Sequence, residues 1–475
     1  MPTAPISTAR FADYVARNIR DHGMKLRFSF VPYPVVGMPR TALREYVEGQ
    51  DPVSGRPLML QIVDAITKPL TDEERHPVVT KQPREPRLLP SDTEENLLRL
   101  FVENGWTDGL PIVLPTEERV AEMLAGTSHE PSEVVGRMSI TTYMEKLEYT
   151  VEKVAVNAVM AGARPEHLPV ILAIASTQEC SMPSSTGSFA RMLVVNGPIR
   201  SEIGMNSGLA ALSPFNLANA VIGRAWTLMT INFGGAKLGE TFMASTGHNA
   251  NYNNMCCAEN EEGSVWEPFH VQKGFKPNQS VVSLFSGFSL LNGFAGTDAT
   301  RPAVEDMAIM IQAFSGYMFH GATLVIDPLV AKSLRNHGFH TKQHVQHWLS
   351  KNVRIPAGKY WGSGVQRSAL APLLRAGIEP YTSWSKLPPE ELIAPYSDPE
   401  EINILVVGGE TNAFFFTMDY RHIRSVSVDD WRAEGSRQVQ LLRMPSSVTC
   451  SDETCGLRDK KVRAVTDADV REIST

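Results

Sequence analysis

The stretch that most constrains this chain runs from Gly239 to His270, GETFMASTGHNANYNNMCCAENEEGSVWEPFH. Its apolar residues follow a period of neither 3.6 nor 2, so it suits neither an amphipathic helix nor a half-buried strand. So long an irregular segment is usually functional or disordered, and Met255, Trp266 and Phe269 supply apolar anchors that argue against disorder. It also gathers His248, Cys256, Cys257, Glu259, Glu261, Glu262, Glu267 and His270. The expectation is a long loop carrying an active or binding site. The plainer alternative is a packed surface loop whose cysteines are small buried hydrophobes.

The 475 residues exceed one ordinary core, and at about 150 residues per domain they predict two or three domains. A chain that is 43% hydrophobic and 20% charged has ample material for them. The formal net charge of -7, with no basic run, argues against nucleic acid, and no apolar run approaches a membrane span. The first residues show no signal-peptide pattern, so the expected location is cytoplasmic. Five cysteines in so long a chain form no disulfide framework and are better read as thiols or ligands.

The expected class is α/β, multidomain, with mixed sheets and flanking helices. Residues 1–75 read as a small α/β unit: a helix from Phe11 to Asp21, a strand from Arg27 to Val31, a proline-punctuated turn and a helix from Leu58 to Ile66. Residues 76–90 hold four prolines and read as a linker. A main α/β domain follows over 91–300. Ser91 with Glu94 has capping-box spacing, Asp108-Gly109 marks a turn, and Ile112 to Leu114 reads as a short buried strand. Thr116 reads as a helix cap, and Thr150 to Met160 is a core helix whose Asn157 needs a buried partner. A strand then runs into Asn196-Gly197-Pro198, followed by a glycine-rich loop and a helix expected to start at Ser213-Pro214. A glycine loop feeding a helix is a sensible anion site, but the spacing fits no nucleotide fingerprint. Asn206, Ser207, Asn216 and Arg224 are candidates for lining a pocket there, with Glu261 facing the substrate from the loop.

Residues 301–435 read as a second α/β unit, with a helix from Pro302 to Met318 and strands at Thr323 to Ile326 and Ile402 to Val407, the latter ending in Gly408-Gly409. His340, His344 and His347 have the spacing of one helix face, which could hold a metal, but their polar neighbours favour a solvated exterior. Residues 436–475 form a polar C-terminal tail in which Cys450 and Cys455 are spaced too far apart for a redox pair.

Several motifs together resemble a bacterial family, the UGSC (seleno)proteins. They are GWTDGLPIV (105–113), TVEKVAVNAVMAGARPEHLPV (150–170), NGPI (196–199), MNSG (205–208) and TGHNANYNNMCCAENEE with WEP (246–268). The first 72 residues, with VPYPVVGMP, resemble the latter half of the small UGSC-type domain. The resemblance implies a second subunit carrying the selenocysteine or cysteine motif, hence a hetero-oligomer. The loop departs from the family pattern at Asn249-Ala250 and in its doubled cysteine.

Three functions fit the loop. In the first, an enzyme acts on a small molecule by thiol-centred redox or nucleophilic chemistry, with Cys256 or Cys257 activated by His248 and with Glu259 as a further catalytic group. In the second, a lyase or hydrolase holds a divalent transition metal through His248, Cys256, Cys257 and Glu261. The third is a non-catalytic scaffold that completes a partner's site. Nearby glutamates work against the first, because negative charge raises a thiol pKa.

Overall fold

The computed structural model describes residues 3–21, 24–76, 87–140, 146–295, 301–314 and 321–433. The tail at 436–475 with Cys450 and Cys455, most of the 76–90 linker, and Met318 lie outside the described residues. The fold is α/β, with mixed sheets flanked by helices.

The chain opens with β1 (Ile6–Thr8), α1 (Ala12–Asp21) and β2 (Ser29–Val31), with β1 and β2 paired in parallel. Next come α2 (Arg40–Glu48), α3 (Leu58–Thr67) and α4 (Asp72–Arg75). Arg27 braces this region by reaching Glu74 and the carbonyls of Lys68 and Pro69. Only Ser29, Asp51 and Leu58 are buried among its described residues.

The body begins with α5 (Glu94–Glu103), capped by Thr93 rather than Ser91. Ile112 to Leu114 forms no strand: the Val113 N–H bonds the Met160 carbonyl, and the Leu114 carbonyl accepts from the Thr116 N–H and from Arg119. Thr116 caps α6 (Glu117–Leu124), and the hairpin β3 (Val134–Met138) and β4 (Leu147–Thr150) follows. α7 (Val151–Ala161) stops at left-handed Gly162, and Asn157 finds Asn232 and the Lys153 carbonyl. α8 (Leu168–Ser176) leads to β5 (Ala190–Asn196), α9 (Ile199–Glu202) and α10 (Leu217–Asn232). α10 does not start at Ser213-Pro214, because Asn206 and Asn216 fold the preceding segment into a side-chain-bonded loop.

The organising loop contributes β6 (Cys257–Ala258) and α11 (Phe269–Gln272). Then come β7 (Val281–Gly287), β8 (Leu290–Phe294), α12 (Val304–Ala313), β9 (Ala322–Ile326), α13 (Pro328–Asn336) and α14 (Lys342–Asn352). A peripheral segment holds β10 (Ile355–Pro356), α15 (Ala357–Gly362), α16 (Gly364–Arg375), α17 (Tyr381–Trp384) and β11 (Leu392–Ile393). The chain closes with β12 (Ile402–Val406), β13 (Phe414–Met418) and β14 (Arg421–Ser427).

Two four-stranded sheets, ordered β14-β7-β5-β6 and β12-β9-β13-β8, form the centre. Strand alternation assigns each face. Leu193, Val195, Val282 and Leu284 of the first sheet pack with Ile171 and Trp226 from the helices α8 and α10. Its opposite face, with Met192, Val194 and Phe285, meets Val325, Leu405 and Met418 of the second sheet. The far face of that sheet, with Leu324, Ile326, Ile404 and Val406, is covered by Met307, Leu334 and Val345. The result is four layers, helix-sheet-sheet-helix, which explains why these strands read as continuous apolar runs.

The sheets do not divide at residue 300 as the expected domains did. β8 precedes that point yet belongs to the second sheet, and β14 follows it yet returns to the first. Asp419 ties the two crossings together, its Oδ1 accepting the N–H groups of Phe288 and Ser289, each at 2.8 Å.

Candidate functional site

The organising loop is irregular, as expected, but its centre is core rather than surface. Cys256 and Cys257 are 2% and 0% exposed. Cys256 packs into the helix-side core and Cys257 into the core between the sheets, where β6 pairs with β5. Helix α10 comes so close that a Cβ at Gly223 would sit 1.8 Å from the Asn253 carbonyl oxygen and 2.9 Å from the Cys256 Cβ. Burial raises both thiols, Cys257 to about 12 and Cys256 well above its ordinary value. Neither is poised as a thiolate.

His248 activates neither cysteine. Its Nδ1 accepts the N–H of Ala250 at 3.0 Å, and the ring also bonds the Phe288 backbone. Burial, the largest influence, lowers its pKa, so the imidazole is neutral near pH 7 and serves to pin the loop. His248, Cys256, Cys257 and Glu261 are not brought together as ligands. Among the described residues no three His, Cys, Asp or Glu side chains gather as a metal group, so no step is assigned to a metal.

Glu259 lies at the centre of a buried polar knot. Its Oε1 accepts from Lys342 Nζ at 2.7 Å and from the Val406 N–H at 3.3 Å; its Oε2 accepts from Asn196 Nδ2 and the Phe269 N–H, both at 2.7 Å. The Glu259 and Lys342 side chains are both 0% exposed. Glu261 accepts from the Gly197 N–H at 2.7 Å and lies 3.2 Å from Arg200 Nε. Arg200 also grips Glu262 with two bonds, which lowers the Glu262 pKa. His270, 4.0 Å from Glu261, is fully buried, and neither ring nitrogen makes a hydrogen bond among the described residues. The knot joins the ends of β5, β6 and β12 to the first turn of α14. It is a weld between layers, with its central carboxylate fully satisfied.

The proposed substrate-binding residues are also engaged with the chain itself. Asn206 bonds Asn216 and Asn219, Asn216 takes the Ser213 carbonyl, and the Ser207 carbonyl accepts the Gly408 N–H. Arg224 makes a bidentate pair with Asp108 at 2.7 and 2.8 Å, so Asp108 is both turn former and ion-pair partner. Of the histidine cluster, His340 precedes α14, which is capped by Thr341, so the three histidines do not share a helix face. His344 and His347 are exposed.

The accessible feature of this region is a groove of ≈ 790 Å³. One wall is the turn from Val102 to Asp108 and the other is the first half of the organising loop. Lys237, Glu240, Thr246, His248 and Tyr252 supply its polar groups, and Met182, Ile231 and Phe242 its apolar floor.

Sequence reasoning passed over Lys342, taking it for part of a solvated helix. A signal existed: a lysine in the first turn of a helix opposes the helix dipole and needs a compensating anion. No signal marked Lys237 or Tyr252. Searches against protein families, curated proteins and solved structures found no match to this chain. No helix among the described residues is long and apolar enough to cross a membrane.

Proposed function

We propose that this chain is the subunit of an enzyme that acts on a small polar molecule held in the groove between the Val102–Asp108 turn and the organising loop. The observation that carries this is the groove itself, whose ≈ 790 Å³ lies in the range of small-molecule sites and whose lining mixes apolar floor with convergent polar groups. Lys237, Glu240 and Tyr252 are its chemically active side chains. Thiolate chemistry at Cys256 or Cys257 draws no support from their burial, and the four-ligand metal set draws none from its dispersal. The test is a thermal-shift screen of the full chain against a metabolite library. A hit that Lys237→Met and Tyr252→Ala abolish, at unchanged melting temperature of the free protein, is expected. Hits that survive both substitutions would remove the groove from consideration.

We also propose a partner subunit docking on residues 3–76, as the resemblance to half of a UGSC-type domain implies. Met59, Leu60, Val63 and Ile66 of α3 are all exposed, and a helix apolar on so many sides is normally buried. The two-stranded parallel β1–β2 sheet adds to this, since parallel sheets occur covered on both faces. Light scattering of the chain purified alone tests it. A monodisperse, fully active species made only of this chain would rule the partner out.

A further inference from the structure

We propose that Arg191, with Ser286 and Arg421 beside it, forms a binding site for a compact oxyanion, a carboxylate or phosphate group. None of the three lines the groove, so this goes beyond the function proposed above.

Arg191 is the one charged residue in the strand ARMLVVN, every position of which is buried. Strand alternation sets it on the face of Leu193 and Val195, opposite Met192. It is 8% exposed, and its Nε makes no hydrogen bond among the described residues. Among the described residues its nearest carboxylate is Glu179, at 4.0 Å from a terminal nitrogen, an ion-pair distance too long for a hydrogen bond. A guanidinium carries five donors, and burying one without acceptors is costly. Cys180 supplies no counter-charge, because burial pushes its thiol up to about 12. Burial above all pulls the Arg191 pKa down; Glu179 opposes this and Arg421 adds to it.

The sheet register supplies the rest of the site. Arg191 of β5 stands opposite Ser286 of β7, and Ser286 stands opposite Arg421 of β14. Directly paired residues share a face, so the three form a row with the serine between two guanidinium-bearing strands. Adjacent strands lie about 4.8 Å apart, which separates the two arginine backbones by about 10 Å. Arg421 is exposed and has contacts of its own. An oxyanion over Ser286 would take paired N–H bonds from Arg191, receive the serine hydroxyl, and offset two like charges held on one face.

Calorimetric titration of the full chain with inorganic phosphate, and separately with acetate, tests the site, using sodium chloride at matched ionic strength as the control. The wild type should bind at least one oxyanion that chloride does not mimic. Tighter phosphate binding would identify a phosphate ligand and tighter acetate binding a carboxylate, and both support the site. Arg191→Gln should weaken that binding about tenfold or more, as loss of a charged hydrogen-bonding partner implies. If Arg191→Gln does not fold, Ser286→Ala and Arg421→Gln carry the test, and each should weaken binding measurably. A wild type that binds neither oxyanion, or folded variants that all bind as the wild type does, would overturn the proposal.

Discussion

Helices α3 and α8 have similar sequences, LMLQIVDAIT and LPVILAIAS, both apolar around most of their circumference. Every residue of α8 from Leu168 to Ala175 is buried, whereas α3 buries Leu58 alone. The difference lies in what surrounds them. α8 is packed between α7, α10 and the first sheet, while the described residues around α3 leave one whole side uncovered. The body therefore stores its stability in interlocked layers, and residues 3–76 rely on local braces such as Arg27 with Glu74.

The largest expected effect lies in the body. Lys342→Met leaves Glu259 as an unpaired buried charge and should cost about 3–5 kcal/mol in urea denaturation. Adding Glu259→Gln should recover much of that loss. Lack of recovery would show that the knot does more than weld the layers.

A pH titration separates the two regions. Burial holds the buried His167 and His422 at about 4, below the ordinary 6.5. Their contribution is therefore complete above about pH 6.5 and is lost as pH falls through about 4. The arginine at Arg27 holds Glu74 at about 2, so its contribution persists above about pH 4.5 and is lost as pH falls towards about 2. Glu401, raised to about 7 by burial, works in the opposite direction and gains stability as pH falls through that value. Between pH 6.5 and 4.5 the body should weaken, by on the order of 3 kcal/mol, while the N-terminal region holds. Tryptophan fluorescence reads the body alone, since the first tryptophan is Trp106, and hydrogen exchange reads residues 3–76. Exchange in the N-terminal region that rises first would break the comparison.

Cys257→Ser places a hydroxyl in the core between the sheets and should cost about 1–3 kcal/mol. A variant that loses turnover at full stability would instead restore the thiol reading. The smallest effect belongs to α3: Leu60→Ser with Val63→Ser should change stability by no more than about 0.5 kcal/mol per site. Self-association, followed by light scattering, should fall. A larger loss of stability would mean that α3 is already covered.

Much of the architecture was legible in the residues. Thr116 caps the helix it was expected to cap, the helix expected over Thr150 to Met160 is α7 with Thr150 as its cap, and Gly162 stops it as a left-handed residue should. These features depend on a few neighbouring residues, which is why they could be read locally. The candidate site was legible only as a region. The organising loop does border the groove, but its cysteines and Glu259 turn inward and Lys237 and Tyr252 face it.

The sequence by itself determined the cap at Thr116, the strands β5, β9 and β12, and the irregularity of Gly239–His270, because each follows from local sterics, capping and periodicity. Only the tertiary structure decided that the two sheets exchange β8 and β14, that Lys342 meets Glu259 across 83 positions, and that Arg191, Ser286 and Arg421 share one row. Those pairings bring together residues far apart in the chain, and no local pattern encodes which distant partner relieves a buried charge.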